Sequence, residues 1–251
     1  MDAAGAGAGT GGLMTMRPWI FAGAAAPARA PARDPGDGLP AAVLFDRDGT
    51  LVADVPYNGD PARVRPARTA RAAVDAVRAR GIAVGVVSNQ SGVARGLLTR
   101  ARVEAVQHRV EELLGPFGVW AVCPHGPDDG CACRKPAPGL VLAACARLGV
   151  DPSRSVVIGD IGADMAAARA AGARGVLVPT PVTRPEETAE AAETAPDLLA
   201  AVRLVLGPDP HPERPGAGPG PCLDPLREPV PEPPGTAPAP SPGPARTAAP
   251  S

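Results

Sequence analysis

The chain has 251 residues, with 25 Lys plus Arg against 26 Asp plus Glu, 34 Pro, 30 Gly and only 2% aromatic residues. A net charge of −1 supplies no electrostatic footprint for general nucleic-acid binding, and no apolar run approaches the ~20 residues that cross a bilayer. Five cysteines, three of them close to one His, do not read as a disulfide framework.

Residues 1–39 are mainly Ala, Gly, Pro and Arg, and residues 207–251 hold 16 of the 34 Pro. Neither stretch carries enough apolar surface to offset the chain entropy lost on ordering, so both are expected to be disordered extensions of one domain at 40–206. Arg17 ahead of Trp19-Ile20-Phe21-Ala22 has the faint shape of a secretory leader, but Gly23 and Pro27 interrupt it. An extension is the reading adopted, with Met14 and Met16 as possible later starts.

From residue 41 short apolar runs alternate with helical periodicity. Ala41–Phe45 reads as a strand covered on both faces. Residues 68–80 place Ala70, Ala73, Val74 and Val77 on one helical face, stopped by Gly81. Ile82–Val87 is a second strand. Residues 99–114 carry Val103, Val106, Val110, Leu113 and Leu114 at helical spacing behind Thr99, a candidate N-cap. Val119–Cys123 is a third strand, Pro138 opens a helix through Leu148, and Val156–Ile158 is a fourth strand. Ala163–Ala171 is a helix ended by Gly172, Gly175–Val178 a fifth strand, and a last helix carries Leu198, Leu199, Val202 and Leu206. Strands alternating with helices imply an α/β fold, its sheet parallel and covered on both faces. Ligands of such sheets sit beyond the carboxyl ends of the strands, here after Phe45, Val87, Cys123 and Ile158.

Polar clusters stand at all four places. Asp46-Arg47-Asp48-Gly49-Thr50 sets two carboxylates two residues apart, so one can attack while the other handles a proton. By spacing alone an ordinary Asp-Gly turn fits as well. Ser88-Asn89-Gln90-Ser91-Gly92 offers a hydroxyl and an amide to an oxyanion, or is a plain polar loop. Arg134-Lys135-Pro136 suits an anion or is a solvated pair; Lys135 is the chain's single lysine. Gly159-Asp160 with Asp164, set beside Asp46, would give oxygen ligands to a hard cation such as Mg²⁺; Asp164 could instead cap the helix that follows.

A fifth cluster is independent of these. Cys123-Pro-His125 and Cys131-Ala-Cys133 supply three thiolates and one imidazole, a closed tetrahedral set for a structural Zn²⁺. Disulfides or free thiols are the alternative. A zinc ion there would clamp a loop with little core of its own, next to Arg134 and Lys135. Cys145 reads as helix core and Cys222 as a tail residue.

DxDGT after an apolar strand, then a strand ending in Ser88, a distant Lys135 and a strand with GDxxxD together resemble the haloacid dehalogenase superfamily of phosphotransferases over about residues 41–180. The zinc loop with CRKPAPG and NQSGVARG is similar to the D-glycero-D-manno-heptose 1,7-bisphosphate phosphatase family. Histidinol-phosphate phosphatases share the loop and the RKP but differ after Asn-Gln.

The resemblance implies a Rossmann-like three-layer sandwich without a cap domain, hydrolysing a phosphomonoester of the heptose bisphosphate. It implies that Asp46 attacks phosphorus and that Asp48 protonates the leaving oxygen and then activates water. Ser88, Asn89 and Lys135 would bind the phosphoryl group, and Mg²⁺ would be held by Asp46, the Asp48 carbonyl and Asp160. Arg134, Asp54 and Tyr57 would recognise the substrate. The chain departs from the family pattern at Asp54-Val55-Pro56-Tyr57, which carries an extra Pro, and at Ile161, where a Lys is expected.

Histidinol phosphate or another small phosphomonoester, and less so a nucleic-acid 3′-phosphate, are the alternative substrates; the last needs a basic groove. Arg95, Arg63 and Arg65 are candidate contacts for a second phosphate, or solvated surface cations. Thiolate ligands and a phosphorylated sugar fit a reducing cytoplasm, and the chain is expected to be a monomer with no nucleic-acid or membrane partner.

Overall fold

The computed structural model describes residues 16–23 and 38–208. Six strands form one sheet in the spatial order β1-β4-β3-β2-β5-β6. They are β1 (Trp19–Phe21), β2 (Ala42–Phe45), β3 (Ala83–Asn89), β4 (Val119–Cys123), β5 (Ser155–Gly159) and β6 (Arg174–Leu177). All pairings are parallel except β1 with β4. β2, β4 and β5 are buried along their whole length, as strands with helices on both faces must be.

Six helices accompany the sheet: α1 (Ala70–Ala79), α2 (Arg100–Leu114), α3 (Gly139–Leu148), α4 (Gly162–Ala171), α5 (Pro185–Glu190) and α6 (Leu198–Leu206). The apolar faces of α1, α2 and α6 pack with Val43, Phe45 and Val86 in one core cluster. Those of α3 and α4 pack with Leu44, Val87 and Val157 in a second. The pleat explains the division, because neighbouring residues of a strand point to opposite faces. The expected cap also forms: the Thr99 hydroxyl accepts from the Arg102 amide at 3.3 Å. No helix among the described residues is long and apolar enough to cross a membrane.

The five expected strands and five expected helices are all present, within a few residues of their predicted bounds. Two elements differ from expectation. α5 lies in a stretch with no apolar periodicity; its first turn is instead fixed by Glu187, which accepts from the Arg184 amide at 3.0 Å. β1 lies inside the N-terminal stretch read as unstructured, and corrects that reading at residues 19–21. A composition averaged over 1–39 hid a local Trp-Ile-Phe run of strong β-formers. Trp19, Ile20 and Phe21 pair with Val122, Ala121 and Trp120 of β4. Trp19 and Phe21 turn inward against Leu98, Val103 and Val122. The Arg100 guanidinium stands 5.3 and 4.8 Å from their ring centroids. The remainder of the two extensions, and Cys222, lie outside the described residues.

The insertions after β2 and β3 are short. Residues 46–69 hold one 3-10 turn (Pro61–Arg63), and residues 90–99 form a loop, so no cap domain covers the strand ends.

Candidate active site

The sheet register brings the polar clusters together. Phe45 lies between Val86 and Ile158, so Asp46 emerges between the ends of β3 and β5. The Asp46 amide then donates to the Ile158 carbonyl at 2.9 Å. The strand order changes direction at β2, with β3 on one side and β5 on the other, which is where a doubly wound sheet opens a crevice.

Carboxylate oxygens of Asp46, Asp160 and Asp164 lie within 4.8 Å of one another, all three residues buried. Lys135 Nζ donates to Asp46 Oδ1 at 2.6 Å and to the Val87 carbonyl at 3.0 Å. It also stands 2.5 Å from Asp164 Oδ1. The Asp46 and Val87 contacts are hydrogen bonds, whereas Asp164 Oδ1 is paired by charge and has no hydrogen-bond partner. Lys135 thus pins Asp46 in this structure. Asp164 does both things foreseen for it: its other oxygen accepts from the Ile161 amide at 3.3 Å, capping α4, while the carboxylate completes the acidic cluster.

Three buried carboxylates share one cation, and the electrostatics show it. Burial, reinforced by Asp164, Asp48 and Asp160 and opposed by Lys135, pushes the Asp46 carboxyl up to about 8. Burial and Asp164 push Asp160 up to about 7. Burial pulls the Lys135 ammonium down, but Asp164 and Asp46 outweigh it and leave it above the ordinary lysine value. A divalent cation offsets the two negative charges in excess, and the hard oxygen donors suit Mg²⁺.

Asp48 faces the crevice from the other side. The Arg47 guanidinium grips it with Nε at 3.0 and 3.1 Å and Nη2 at 2.8 Å, and Gln90 Nε2 donates to Oδ2 at 2.8 Å. Gln90 Nε2 also donates to the Ser88 hydroxyl at 2.9 Å, leaving that hydroxyl's own proton for another acceptor. Asn89, expected on the phosphoryl group, is committed elsewhere. Its Nδ2 donates to the Lys135 carbonyl at 3.0 Å and its Oδ1 accepts from the Lys135 amide at 3.1 Å. It positions Lys135.

Gly49 is needed twice over. Its φ is +80°, and a Cβ there would fall 2.2 Å from Asp160 Oδ2. Sequence reasoning missed several supporting groups. Thr50 Oγ1 reaches Asp160 Oδ1 at 3.4 Å, Thr180 Oγ1 reaches Oδ2 at 3.5 Å, and Thr183 Oγ1 donates to the Asp160 carbonyl at 2.5 Å. Arg47 and Gln90 were also missed. Arg47 and Thr50 stand inside the first motif and Gln90 inside the second, a signal that could have found them. Thr180 and Thr183 follow the last strand, where no motif marked them.

The second cluster forms as expected. Sulfur–sulfur distances are 3.7 Å for Cys123–Cys131, 3.7 Å for Cys131–Cys133 and 3.3 Å for Cys123–Cys133. His125 Nδ1 lies 3.4 and 3.2 Å from the sulfurs of Cys123 and Cys133. Tetrahedral zinc with bonds of about 2.3 Å to sulfur and about 2.0 Å to nitrogen sets these edges at about 3.8 and about 3.5 Å. A disulfide needs about 2.05 Å, and all three thiols are free. A hydrogen bond from Cys133 lowers the Cys123 thiol to about 5, while donating that bond, together with burial, pushes the Cys133 thiol up. The donor set fits zinc.

The substrate-recognition candidates are each placed by their own contacts and exposure. Arg134 Nη1 donates to the His125 carbonyl at 3.3 Å. Asp54 is exposed, and its carboxyl is raised by partial burial and by Asp48. Tyr57 is 42% exposed and holds φ +49°. Arg65 turns back on its own loop, donating to the carbonyls of Ala62 and Val64, and Arg63 is exposed. Cys145 is buried in α3, with Sγ 3.4 Å from the Ser155 hydroxyl.

The chain is similar to known phosphatases. A HAD-hydrolase-like family model matches residues 132–202. The chain is 39% identical over 143 residues to the D-glycero-beta-D-manno-heptose-1,7-bisphosphate 7-phosphatase of Pseudomonas aeruginosa, covering 55% of this chain and 80% of that protein. It is 34% identical over 178 residues to the Vibrio cholerae protein of the same name, covering 65% of this chain and 93% of the relative. A similar solved structure is the D,D-heptose 1,7-bisphosphate phosphatase of B. bronchiseptica, complexed with magnesium and phosphate. Its TM-score is 0.60 at 31% identity, covering 66% of this chain and 97% of that one.

Proposed function

The chain belongs to the heptose-1,7-bisphosphate 7-phosphatase family of the HAD-like hydrolases, and from that premise we propose that it removes the 7-phosphate of D-glycero-β-D-manno-heptose 1,7-bisphosphate through a phosphorylated Asp46. The observation that carries the proposal is the convergence of Asp46, Asp160, Asp164 and Lys135 at the sheet's crevice, with Lys135 Nζ 2.6 Å from the Asp46 oxygen.

Asp46 Oδ attacks phosphorus while the phosphorus–sugar oxygen bond breaks, and Asp48 gives its proton to the leaving alkoxide. Asp48 then takes a proton from water, whose oxygen attacks phosphorus and breaks its bond to Asp46, releasing inorganic phosphate. Arg47 and Gln90 hold the Asp48 carboxylate in place for both transfers. Ser88 and Lys135 hold phosphoryl oxygens, Lys135 exchanging its Asp46 contact for one of them. Asp46, Asp160 and the carbonyl oxygen of Asp48 would hold Mg²⁺, which supplies the charge that allows an anionic nucleophile to approach an anionic phosphoryl group. Asp54, Tyr57 and Arg134 would read the sugar end.

The zinc thiolates and a phosphorylated sugar support a cytoplasmic setting, and the net charge of −1 supports a small-molecule substrate over a nucleic acid. We take the monomer as the working state.

A phosphate-release screen tests the substrate. The β-heptose bisphosphate is expected to exceed histidinol phosphate, fructose 1,6-bisphosphate and a 3′-phosphorylated oligonucleotide in kcat/KM by at least about a hundredfold, the scale of one well-made charged contact. Preference for histidinol phosphate would overturn the assignment.

A further inference from the structure

We propose that Arg95 is a specificity-determining residue that binds the second phosphate of the bisphosphate, held ready for it by Tyr57 and by the corner of the zinc loop; this rests on the substrate reading above.

The argument begins with Tyr57. A bulky residue at φ +49° is a backbone outlier, and such strain persists only where packing over-determines it. Here the packing is visible. Gly92 lets the ring come close, for a Cβ at residue 92 would fall 2.9 Å from Tyr57 Cδ1 and 2.9 Å from Leu98 Cδ1. Leu98 is buried with Val103 and Val122, and β1 covers that cluster through Trp19 and Phe21. The ring is thereby fixed, still 42% exposed, with the Arg95 guanidinium 5.5 Å from its centroid. A cation laid on an aromatic face keeps its N–H fork at the edge, free to accept a planar or tetrahedral anion.

The loop that carries Arg95 is tied down by backbone hydrogen bonds. Val93 and Arg95 amides donate to the carbonyls of Gln90 and Ser91, and the amides of Leu97 and Leu98 both donate to Gly92. The Ala94 amide donates to the Pro124 carbonyl at 3.1 Å. The neighbouring carbonyl, that of His125, receives Arg134 Nη1 at 3.3 Å. Ala94, the residue before Arg95, and the Arg134 side chain are thus tied to consecutive residues of one corner, which Cys123 and His125 would fix through zinc. Gln90, at the base of the same loop, donates to Asp48. The segments that carry the two guanidinium groups are therefore joined by hydrogen bonds to each other and, through Gln90, to the proton-transfer carboxylate. A phosphoryl group being cleaved at Asp46 leaves the far end of a bisphosphate to reach these segments. A dianion there meets a pair of forks, one stacked on Tyr57 and one anchored to His125. Arg63 and Arg65 have no comparable mounting.

The test compares kcat/KM for the bisphosphate with that for the same sugar carrying only the 7-phosphate. Wild type is expected to prefer the bisphosphate. Arg95→Gln is expected to reduce that preference about tenfold to a hundredfold, mainly through KM for the bisphosphate, with an unchanged melting temperature. Arg95→Lys is expected to recover part of it as a point charge, and Tyr57→Leu to lose part of it with Arg95 intact. Arg109→Gln, on the outer face of α2, controls for surface charge. A bisphosphate preference that survives Arg95→Gln overturns this inference and leaves the substrate reading standing. A wild type without any bisphosphate preference overturns both.

Discussion

Asp46→Asn is expected to lower kcat by roughly 10⁴-fold or more, the scale at which loss of a covalent nucleophile reads out. An amide keeps the shape of the carboxylate and its place between β3 and β5 but has no anionic oxygen to attack phosphorus. Folding should not suffer. The Asp46 carboxyl is raised to about 8 from an ordinary 3.8, so the folded chain binds its proton more tightly than the unfolded one. A group shifted this way costs stability as pH rises from the ordinary carboxylate value toward 8, so at neutral pH, where the folded chain must take up a proton the unfolded chain lacks, it opposes folding. The metal-free Asn variant should therefore melt at or above the wild-type temperature, as substitutions that relieve a strained active site commonly do. Thermal melts and steady-state phosphate release on the same preparation check both halves. Wild-type turnover in a folded Asn variant would remove the covalent mechanism.

Removal of zinc is expected to cost at least about tenfold in activity, within the range that loss of a supporting metal shell produces. Pro124 is the one buried apolar side chain within residues 124–132, so the loop depends on its four ligands and on small contacts such as the Gly126 amide donating to Asp129 at 2.8 Å. Cys133 is followed directly by Arg134 and Lys135. Without the metal, the Lys135 main chain keeps only the two Asn89 hydrogen bonds as a fixed reference. A chelator should release about one zinc per chain. Activity measured with Mg²⁺ restored should fall, far-UV circular dichroism should change little, and added zinc should recover the rate. A zinc-free preparation with full activity would show that the clamp does not position Lys135.

The sheet was legible because β2, β4 and β5 are buried on both faces, and continuous apolar runs such as Ala42–Phe45 leave few other readings. The polar cluster of the candidate site was legible because a parallel sheet delivers strand ends to one edge, which places Asp46, Ser88 and Asp160 together before any distance is known. Other features depend on three-dimensional contact and have no pattern to read. Asn89 looked like a phosphate ligand by its type and place, but its amide faces the main chain of a residue 46 positions away. Thr180 and Thr183 are ordinary loop threonines until α4 and β6 bring them against Asp160. β1 is three residues long, too short for a period to emerge, and it is held by an edge and by Arg100. The left-handed Tyr57 follows from Gly92 and Leu98, neither of which is near it in the chain.

The most direct measurement is acid quenching of a single turnover in Asp48→Asn, which lacks the base that activates water, followed by mass spectrometry of the peptide containing residue 46. One phosphoryl group on Asp46, removed by hydroxylamine as an acyl phosphate is, is the predicted result. Product release in that turnover with residue 46 never modified would contradict the account.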